Sequence, residues 1–234
     1  MPETTLLLAI DTCGPSGSVA LGRNTVGTVE ILGQIELEGR SYSATLIAAV
    51  GDLLAHSGVE LGNLAAIVAV NGPGSFTGVR VGLSAVKGLA EAARIPVLAV
   101  SRLEVLAAKA SASSAALDAH RHEVFLRLGG QDLGRQGLEA RELLAGTAEL
   151  ETLNLAGIRI AVCDEAASAL LASARPAAEL VHTLAPTAAD ALQLCAPRAS
   201  ARRFVDLALL DGHYLRRSDA EIFGEPTSAA AKRL

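Results

Sequence analysis

The chain has 234 residues, half of them hydrophobic, with 20 Lys and Arg against 25 Asp and Glu and a formal charge of −5. That suffices for a substantial core in one large domain or two small ones and excludes general disorder. Aromatic residues make up 3% and Trp is absent, which disfavours base stacking, and the acidic balance argues against a stand-alone nucleic-acid binder.

Cys13, Cys163 and Cys195 are odd in number and widely spaced, the pattern of neither a disulfide framework nor a zinc site. The start lacks the basic segment of a signal peptide, and no apolar run reaches the roughly 18 residues of a membrane span. The expected compartment is the cytoplasm, with no membrane partner.

Leu6–Ile10 is a continuous apolar run closed by Asp11 and reads as a buried strand. Gly17–Leu21 is a second strand after the turn-rich Cys13-Gly14-Pro15-Ser16, and a glycine-broken third lies within Val26–Leu37. The short gaps predict a meander. Ser43–Ser57 has helical composition with Gly58 as its stop. Ala65–Val70 reads as a buried strand, Asn71–Thr77 as a turn, Gly78–Arg94 as a helix, and Val97–Val100 as a strand after Ile95-Pro96. This order predicts an α/β fold, a mixed sheet covered by helices.

Leu103–Ala110 reads as a helix and Ala112–Ser114 as a joint of small residues. Ala115–Ala119 and Val124–Leu128 read as strands around a turn at His120–His122, and Gly129–Gly137 as a polar loop. Ile158–Val162 is a predicted strand and Glu165–Ala174 a helix. Thr187-Ala188-Ala189-Asp190 has the form of a capping box opening another helix. Ala220–Leu234 is expected to fray. In two places a strand ends in Asp and a second strand follows: Leu8-Ala9-Ile10-Asp11 before Val19-Ala20-Leu21, and Ala116-Leu117-Asp118 before Val124-Phe125-Leu126. That similarity fits a duplicated fold with two like domains.

Asn71-Gly72-Pro73-Gly74-Ser75-Phe76-Thr77-Gly78 follows a strand and opens a helix. Two readings stay open: an anion cradle at a helix N-terminus, or a tight turn capped by Thr77. The spacing matches neither a Walker loop nor a dinucleotide fingerprint. In the helix, Arg80, Ser84, Lys87, Glu91 and Arg94 form one narrow polar stripe. The other positions are apolar or small, so roughly two-thirds of the circumference favours leaving water. Leu46, Ile47, Val50, Leu53 and Leu54, with Ala44, Ala48, Ala49 and Ala55 between them, give Ser43–Ser57 the same property. Two such helices on one sheet face would present an apolar interface patch, unless the second domain covers them.

Asp11 stands where actin- and sugar-kinase-type folds place a metal-linked aspartate, or it caps a turn. The equivalent second-half stretch, Ala119-His120-Arg121-His122-Glu123, has no glycine loop. His120 and His122 read either as metal ligands or as a solvated turn. No Gly-x-Ser-x-Gly elbow and no acidic pair of suitable spacing nominates catalysis. Arg198, Arg202 and Arg203 form a small basic cluster.

Leu7-Leu8-Ala9-Ile10-Asp11-Thr12, Gly17-Ser18-Val19-Ala20-Leu21, Asn71 to Gly82, Lys87-Gly88-Leu89-Ala90, Ile95-Pro96-Val97, Ser101-Arg102-Leu103-Glu104, Ala116-Leu117-Asp118-Ala119 and Tyr214-Leu215-Arg216-Arg217 together resemble the bacterial TsaB family. The resemblance covers most of the chain and is weakest across Gly129–Leu155. It implies two ASKHA (actin/hexokinase-like, RNase H-like) domains with mixed sheets flanked by helices. These would be an N-terminal one over 1–104 bearing the partner-binding helices and a smaller degenerate one over 105–234, whose last segment can fold back on the first.

The resemblance further implies a non-catalytic dimerisation subunit in the modification of tRNA adenosine 37 to threonylcarbamoyladenosine. It would bind a TsaD-type catalytic subunit joined by a TsaE-type ATPase, form a homodimer when alone, and meet tRNA only through the complex. The implied partner interface is Leu46, Val50, Leu53, Leu54, Arg80, Leu83, Val86, Lys87 and Ala90. Asp11, Thr12, Gly72, Gly74 and Ser75 are implied remnants of a phosphate loop. The catalytic relatives' His-x-x-x-His metal motif falls here on Arg102 and Leu106, neither a usual ligand. No metal and no cofactor are expected, ATP or ADP at a subunit boundary being the exception to test. The family's His and Ser-Glu near the first helix are replaced by Ser41-Tyr42-Ser43-Ala44. The competing class is an enzyme: an ATP-binding phosphotransferase or a glycoprotease-like metallopeptidase.

Overall fold

The computed structural model describes residues 4–38, 41–130, 132, 139–174 and 177–216. Its first sheet is built from β1 (Thr4–Asp11), β2 (Ser16–Thr25), β3 (Thr28–Glu38), β4 (Leu64–Val70) and β5 (Val97–Val100), in the order β3-β2-β1-β4-β5. The meander β1-β2-β3 is antiparallel, and β4 and β5 add in parallel beside β1. The second sheet contains β6 (Ser114–Asp118), β7 (Glu123–Leu128), β8 (Arg141–Gly146), β9 (Arg159–Val162) and β10 (Glu179–His182), in the order β10-β9-β6-β7-β8. Here β6-β7-β8 is antiparallel and β9 and β10 are parallel beside β6. The second sheet thus repeats the first strand for strand, as the paired Asp-ended strands suggested.

Leu7–Asp11 is buried at every position of β1, which requires cover on both faces and explains its unbroken apolar run. α1 (Tyr42–His56) and α2 (Phe76–Ala93) pack side by side on one face. The other cover is α6 (Ala188–Ser200), which lies across all five strands of the first sheet. α3 (Arg102–Lys109) packs on β6, β7 and β9, while α4 (Thr147–Thr152) and α5 (Glu165–Ala174) cover the opposite face of the second sheet. Alternation fixes those two faces. Ala115, Leu117, Ala119 and Phe125 join the core under α3, and Ala116, Val124, Leu126 and Leu128 join the one under α5.

The division expected after residue 104 therefore runs through α3, which belongs to the second sheet, and α6 belongs to the first. Polar contacts at its start help to hold α6 in place. Its Ala188 N–H donates to Ser18 Oγ at 2.8 Å, and Asp190 of its capping box pairs with Lys109 at 2.8 Å. The chain then runs along the outer edge of β5, where Val205 N–H donates to Val97 O at 2.9 Å, and past Asn71, whose carbonyl accepts from His213 N–H at 2.7 Å.

β8, α4 and β10 have no counterpart in the sequence reading. The last two are short and half-exposed, and none carries a clear periodicity. The loop expected at Gly129–Gly137 and the tail Ala220–Leu234 fall largely or wholly outside the described residues. All three cysteines are free thiols. Among the described residues no helix is long and apolar enough to cross a membrane.

Candidate functional site

β1 ends in the buried Asp11, whose Oδ1 accepts from Cys13 N–H at 2.8 Å. Its Oδ2 lies 3.5 Å from Nε of Arg102, the first residue of α3, and the two side chains are 2% and 6% exposed. Burial, the largest single influence, opposes a charge on Arg102, but Asp11 together with Cys13, Cys163 and Tyr42 raises the guanidinium pKa overall. The neighbours are uncharged. Burial, then Asp11, pushes the Cys13 thiol well up, and its Sγ donates to Val70 O at 3.2 Å. Burial, then Asp11, raises Tyr42 to about 12, and its hydroxyl donates to Gly14 O at 2.8 Å.

The metal that the catalytic relatives' motif implies does not fit this donor set. Its first ligand position is Arg102, a cation turned onto Asp11, and its second is Leu106, buried in the core under α3. Among the described residues no group of three or more His, Cys, Asp or Glu could hold a metal ion. His120 and His122 sit in an exposed left-handed turn, with φ near 60° for His120, Arg121 and His122, and His120 pairs with Asp118.

The glycine-rich turn is occupied by the chain itself. Ser75, not Thr77, caps α2, accepting from Gly78 N–H at 3.2 Å, and the helix begins at Phe76. Ser75 N–H donates to Cys13 O at 2.8 Å, and Thr12 Oγ1 donates to Gly78 O at 2.7 Å. A methyl on Gly74 would overlap the Cys13 carbonyl, one on Gly78 the Thr12 carbonyl, and one on Gly82 the Thr12 hydroxyl. Gly72, at φ +113°, faces the His213 carbonyl. Asp11, Thr12, Gly72, Gly74 and Ser75, expected as remnants of a phosphate loop, lie around this crossing of the chain on itself. Two of the N–H groups that an anion would use are already taken, and the glycines serve close backbone approach.

The helix surface differs from the expectation residue by residue. Leu46, Val50, Leu53, Leu54, Leu83, Val86 and Ala90 are all buried in the core of the single chain. These expected interface residues are core positions instead: large side chains take the sheet-facing side, where they bury the most area. Arg80 is exposed and Lys87 half-buried. The exposed positions include Ala44, Ile47, Ala48, Gly51 and Ala55 on α1 and Ser84, Gly88 and Ala92 on α2, alongside Thr45, Asp52, His56, Thr77 and Glu91. Ile47 is 56% exposed, and nothing lies within 4 Å of a Cβ built on Gly51 or Gly88. At the N-terminal end of α2, Arg80 lies 3.8 Å over the Phe76 ring and reaches the Tyr214 hydroxyl at 3.4 Å. The Phe76 and Tyr214 rings are 5.2 Å apart.

A polar cluster that the sequence reading missed lines a cavity of about 300 Å³. Glu142 on β8 accepts from Ser101 Oγ at 2.7 Å and Arg127 Nη1 at 2.7 Å, and lies 2.9 Å from His213 Nε2. Burial alone would raise its pKa, but the hydrogen bonds from His213, Ser101 and Arg127 hold it below the usual carboxylate range. Its partners lie 15 to 71 residues away in sequence, so no local spacing signals the cluster. Of the C-terminal basic residues, Arg198 pairs with Glu104, while Arg202 and Arg203 are exposed.

Two mixed sheets of one topology, flanked by helices and meeting at an Asp-ended β1, define an ASKHA-like α/β protein. The profile of the TsaD family, tRNA N6-adenosine threonylcarbamoyltransferase, matches residues 34–222. The tRNA threonylcarbamoyladenosine biosynthesis protein TsaB of Escherichia coli is 38% identical over 125 residues, 51% of this chain and 52% of that protein. A Pseudomonas aeruginosa protein described as similar to the peptidase YeaZ superposes with a TM-score of 0.71 at 32% identity, over 91% of this chain and 100% of that one. YeaZ from Pseudomonas aeruginosa follows at 0.67 and 31%, over 90% and 100%. The chain belongs to the TsaB family. It spans about half the length of the curated relatives it matches.

Proposed function

We propose that this chain is a non-catalytic scaffold and dimerisation subunit in the biosynthesis of threonylcarbamoyladenosine at tRNA position 37. It docks a TsaD-type catalytic subunit through the outer face of α1 and α2. The observation that carries the reading is that face. Exposed Ala, Gly and one Ile on α1, and exposed Ser84 and Gly88 on α2, belong to two helices that pack side by side. Side chains this small let a partner helix approach closely, and an exposed patch of this kind favours burial against protein. The same face serves a homodimer when the chain is alone. A TsaE-type ATPase joins the pair, and tRNA is met only through the complex.

The family membership supports the pathway, since the curated relatives are named for threonylcarbamoyladenosine biosynthesis. The Arg102 guanidinium on Asp11 supports the non-catalytic role. The reading gives the chain no cofactor of its own and leaves ATP or ADP to a subunit boundary.

The test is the solution mass by light scattering, alone and with a TsaD-type subunit. A homodimer that exchanges for a mixed complex is expected, together with no threonylcarbamoyl transfer by the chain alone. Absence of any mixed complex, with and without ATP, would overturn the reading.

A further inference from the structure

We infer that Phe76, Arg80 and Tyr214 form a composite anchor at the N-terminal end of α2, where the Arg80 guanidinium receives a carboxylate from the TsaD-type subunit. The inference rests on the docking reading and adds to it the chemistry that the partner must bring.

The anchor joins two distant segments. Phe76 opens α2, and Tyr214 stands on the C-terminal segment that runs past Asn71. The chain has four Phe, two Tyr and no Trp, yet these two rings stand exposed together, at 40% and 38%. Both neighbours of Tyr214 are tied down: His213 N–H donates to Asn71 O, His213 Nε2 lies 2.9 Å from Glu142, and Leu215 packs against the core under α3. A Cβ on Gly212 would overlap the Tyr214 ring, so the ring can lie back over its own segment because position 212 is glycine.

Arg80 is set against both rings. Its guanidinium carbon lies 3.8 Å from the Phe76 centroid and 6.0 Å from that of Tyr214, and its Nε donates to the Tyr214 hydroxyl at 3.4 Å. These contacts orient the guanidinium without using its terminal nitrogens, which have no carboxylate partner among the described residues. A guanidinium held in this way has little freedom left to lose, and its paired N–H donors match a carboxylate edge to edge. Tyr and Arg are also residue types on which binding energy concentrates in protein interfaces. Lys87 and Arg94 follow at seven-residue steps, and neither has a carboxylate partner among the described residues. The three cations outnumber the one acid of α2, Glu91, in a chain of formal charge −5. A carboxylate-bearing protein surface complements that stripe, whereas RNA phosphates call for a broader basic face. A second copy facing the stripe across a two-fold brings the same surplus of cations, so the complementary acids belong to a different chain. That difference favours the mixed complex over the homodimer.

The test is association of the full chain with a purified TsaD-type subunit, followed by light scattering and calorimetry at low and high salt, with self-association measured beside it. Arg80→Ala is expected to weaken the mixed complex about tenfold, as loss of a hot-spot residue does. It is also expected to flatten the salt dependence and to leave self-association no weaker. Arg80→Lys keeps the charge but not the planar fork, and is expected to restore the salt dependence and only part of the affinity. Gly212→Ala displaces the Tyr214 ring and is expected to weaken the mixed complex as well. An Arg80→Ala chain that binds the TsaD-type subunit as tightly as wild type overturns the inference. If Ile47→Asp still breaks association in that case, the docking reading stands without the anchor; if Ile47→Asp has no effect either, both fall. Weakening confined to self-association would assign the anchor to a second copy, and loss of tRNA from an intact two-subunit complex would assign it to RNA; either result overturns the inference.

Discussion

Glu142 stabilises the fold only while it is ionised, because its three partners all offer it donors. Its folded pKa is depressed, so its contribution is fully present above the ordinary value of about 4.3. That contribution is lost as pH falls from there through the folded value. Glu142→Gln keeps the size and removes the charge. It should cost about 1.5–3 kcal/mol at pH 7, the range for hydrogen bonds to a charged group. Denaturant melts from pH 7 to pH 3 should show the gap to wild type narrowing below about pH 4, and a constant gap would rule out this role. A second residue-scale contrast separates glycines by what they touch. Gly78→Ala drives a methyl into the Thr12 carbonyl and should cost about 1–3 kcal/mol. Gly88→Ala meets nothing and should stabilise α2 by about 0.5–1 kcal/mol in the same melts. The glycine pattern itself was legible in the sequence. Its meaning was not, since a phosphate and a crossing backbone both demand a missing side chain. Asp11 was legible for the same reason that Arg102 was not: a strand-end carboxylate is a local signal, and its partner lies 91 positions later.

At the scale of elements, α1 and α2 were expected almost at their observed bounds, and of the two covered sides that their excess of apolar residues suggested, the structure shows the one that packs on the sheet. The error lay in which side chains belong to which side. Leu46 and Ile47 are adjacent and equally apolar, yet one is buried and the other is 56% exposed. Only the direction of the sheet decides between them, and a helix rich in Ala and Gly on its outer face shows little polar contrast to mark it. The distinction gives an element-scale prediction. Ile47→Asp should leave the melting temperature within a few degrees of wild type, as surface substitutions of roughly ±0.5 kcal/mol do. It should weaken both self-association and mixed association in light scattering. Leu83→Asp buries an unpaired charge in the core and should unfold the chain instead. If Ile47→Asp leaves association intact, the outward face is not the docking surface. The three elements that escaped the sequence reading have another physical cause: β8, α4 and β10 are held by packing across the second sheet rather than by local propensity.

Across the whole molecule, the first sheet is completed by residues that come last in the described chain. The duplication was legible because each half repeats a strand closed by Asp. The return of α6 to the first sheet was not, because nothing in Thr187–Ser200 states which sheet its apolar side will meet. Ala188, Ala191, Leu192, Cys195 and Ala196 are fully buried there, so one face of β1 through β5 depends on them. Leu192→Ala should therefore cost about 2–5 kcal/mol and be felt by the first sheet, although the residue lies in the second half of the sequence. Hydrogen exchange can read that directly. Protection at Leu8–Ile10 and Ile67–Val70 should fall together, while protection at Leu126 and Val162 of the second sheet changes less. The opposite pattern, with the second sheet losing protection first, would mean that α6 is coupled to the fold through α3 and Lys109 rather than through the sheet it covers. Equal loss everywhere would mean that the two sheets unfold as a single unit, with Arg102, Glu142 and α6 acting as parts of one continuous core.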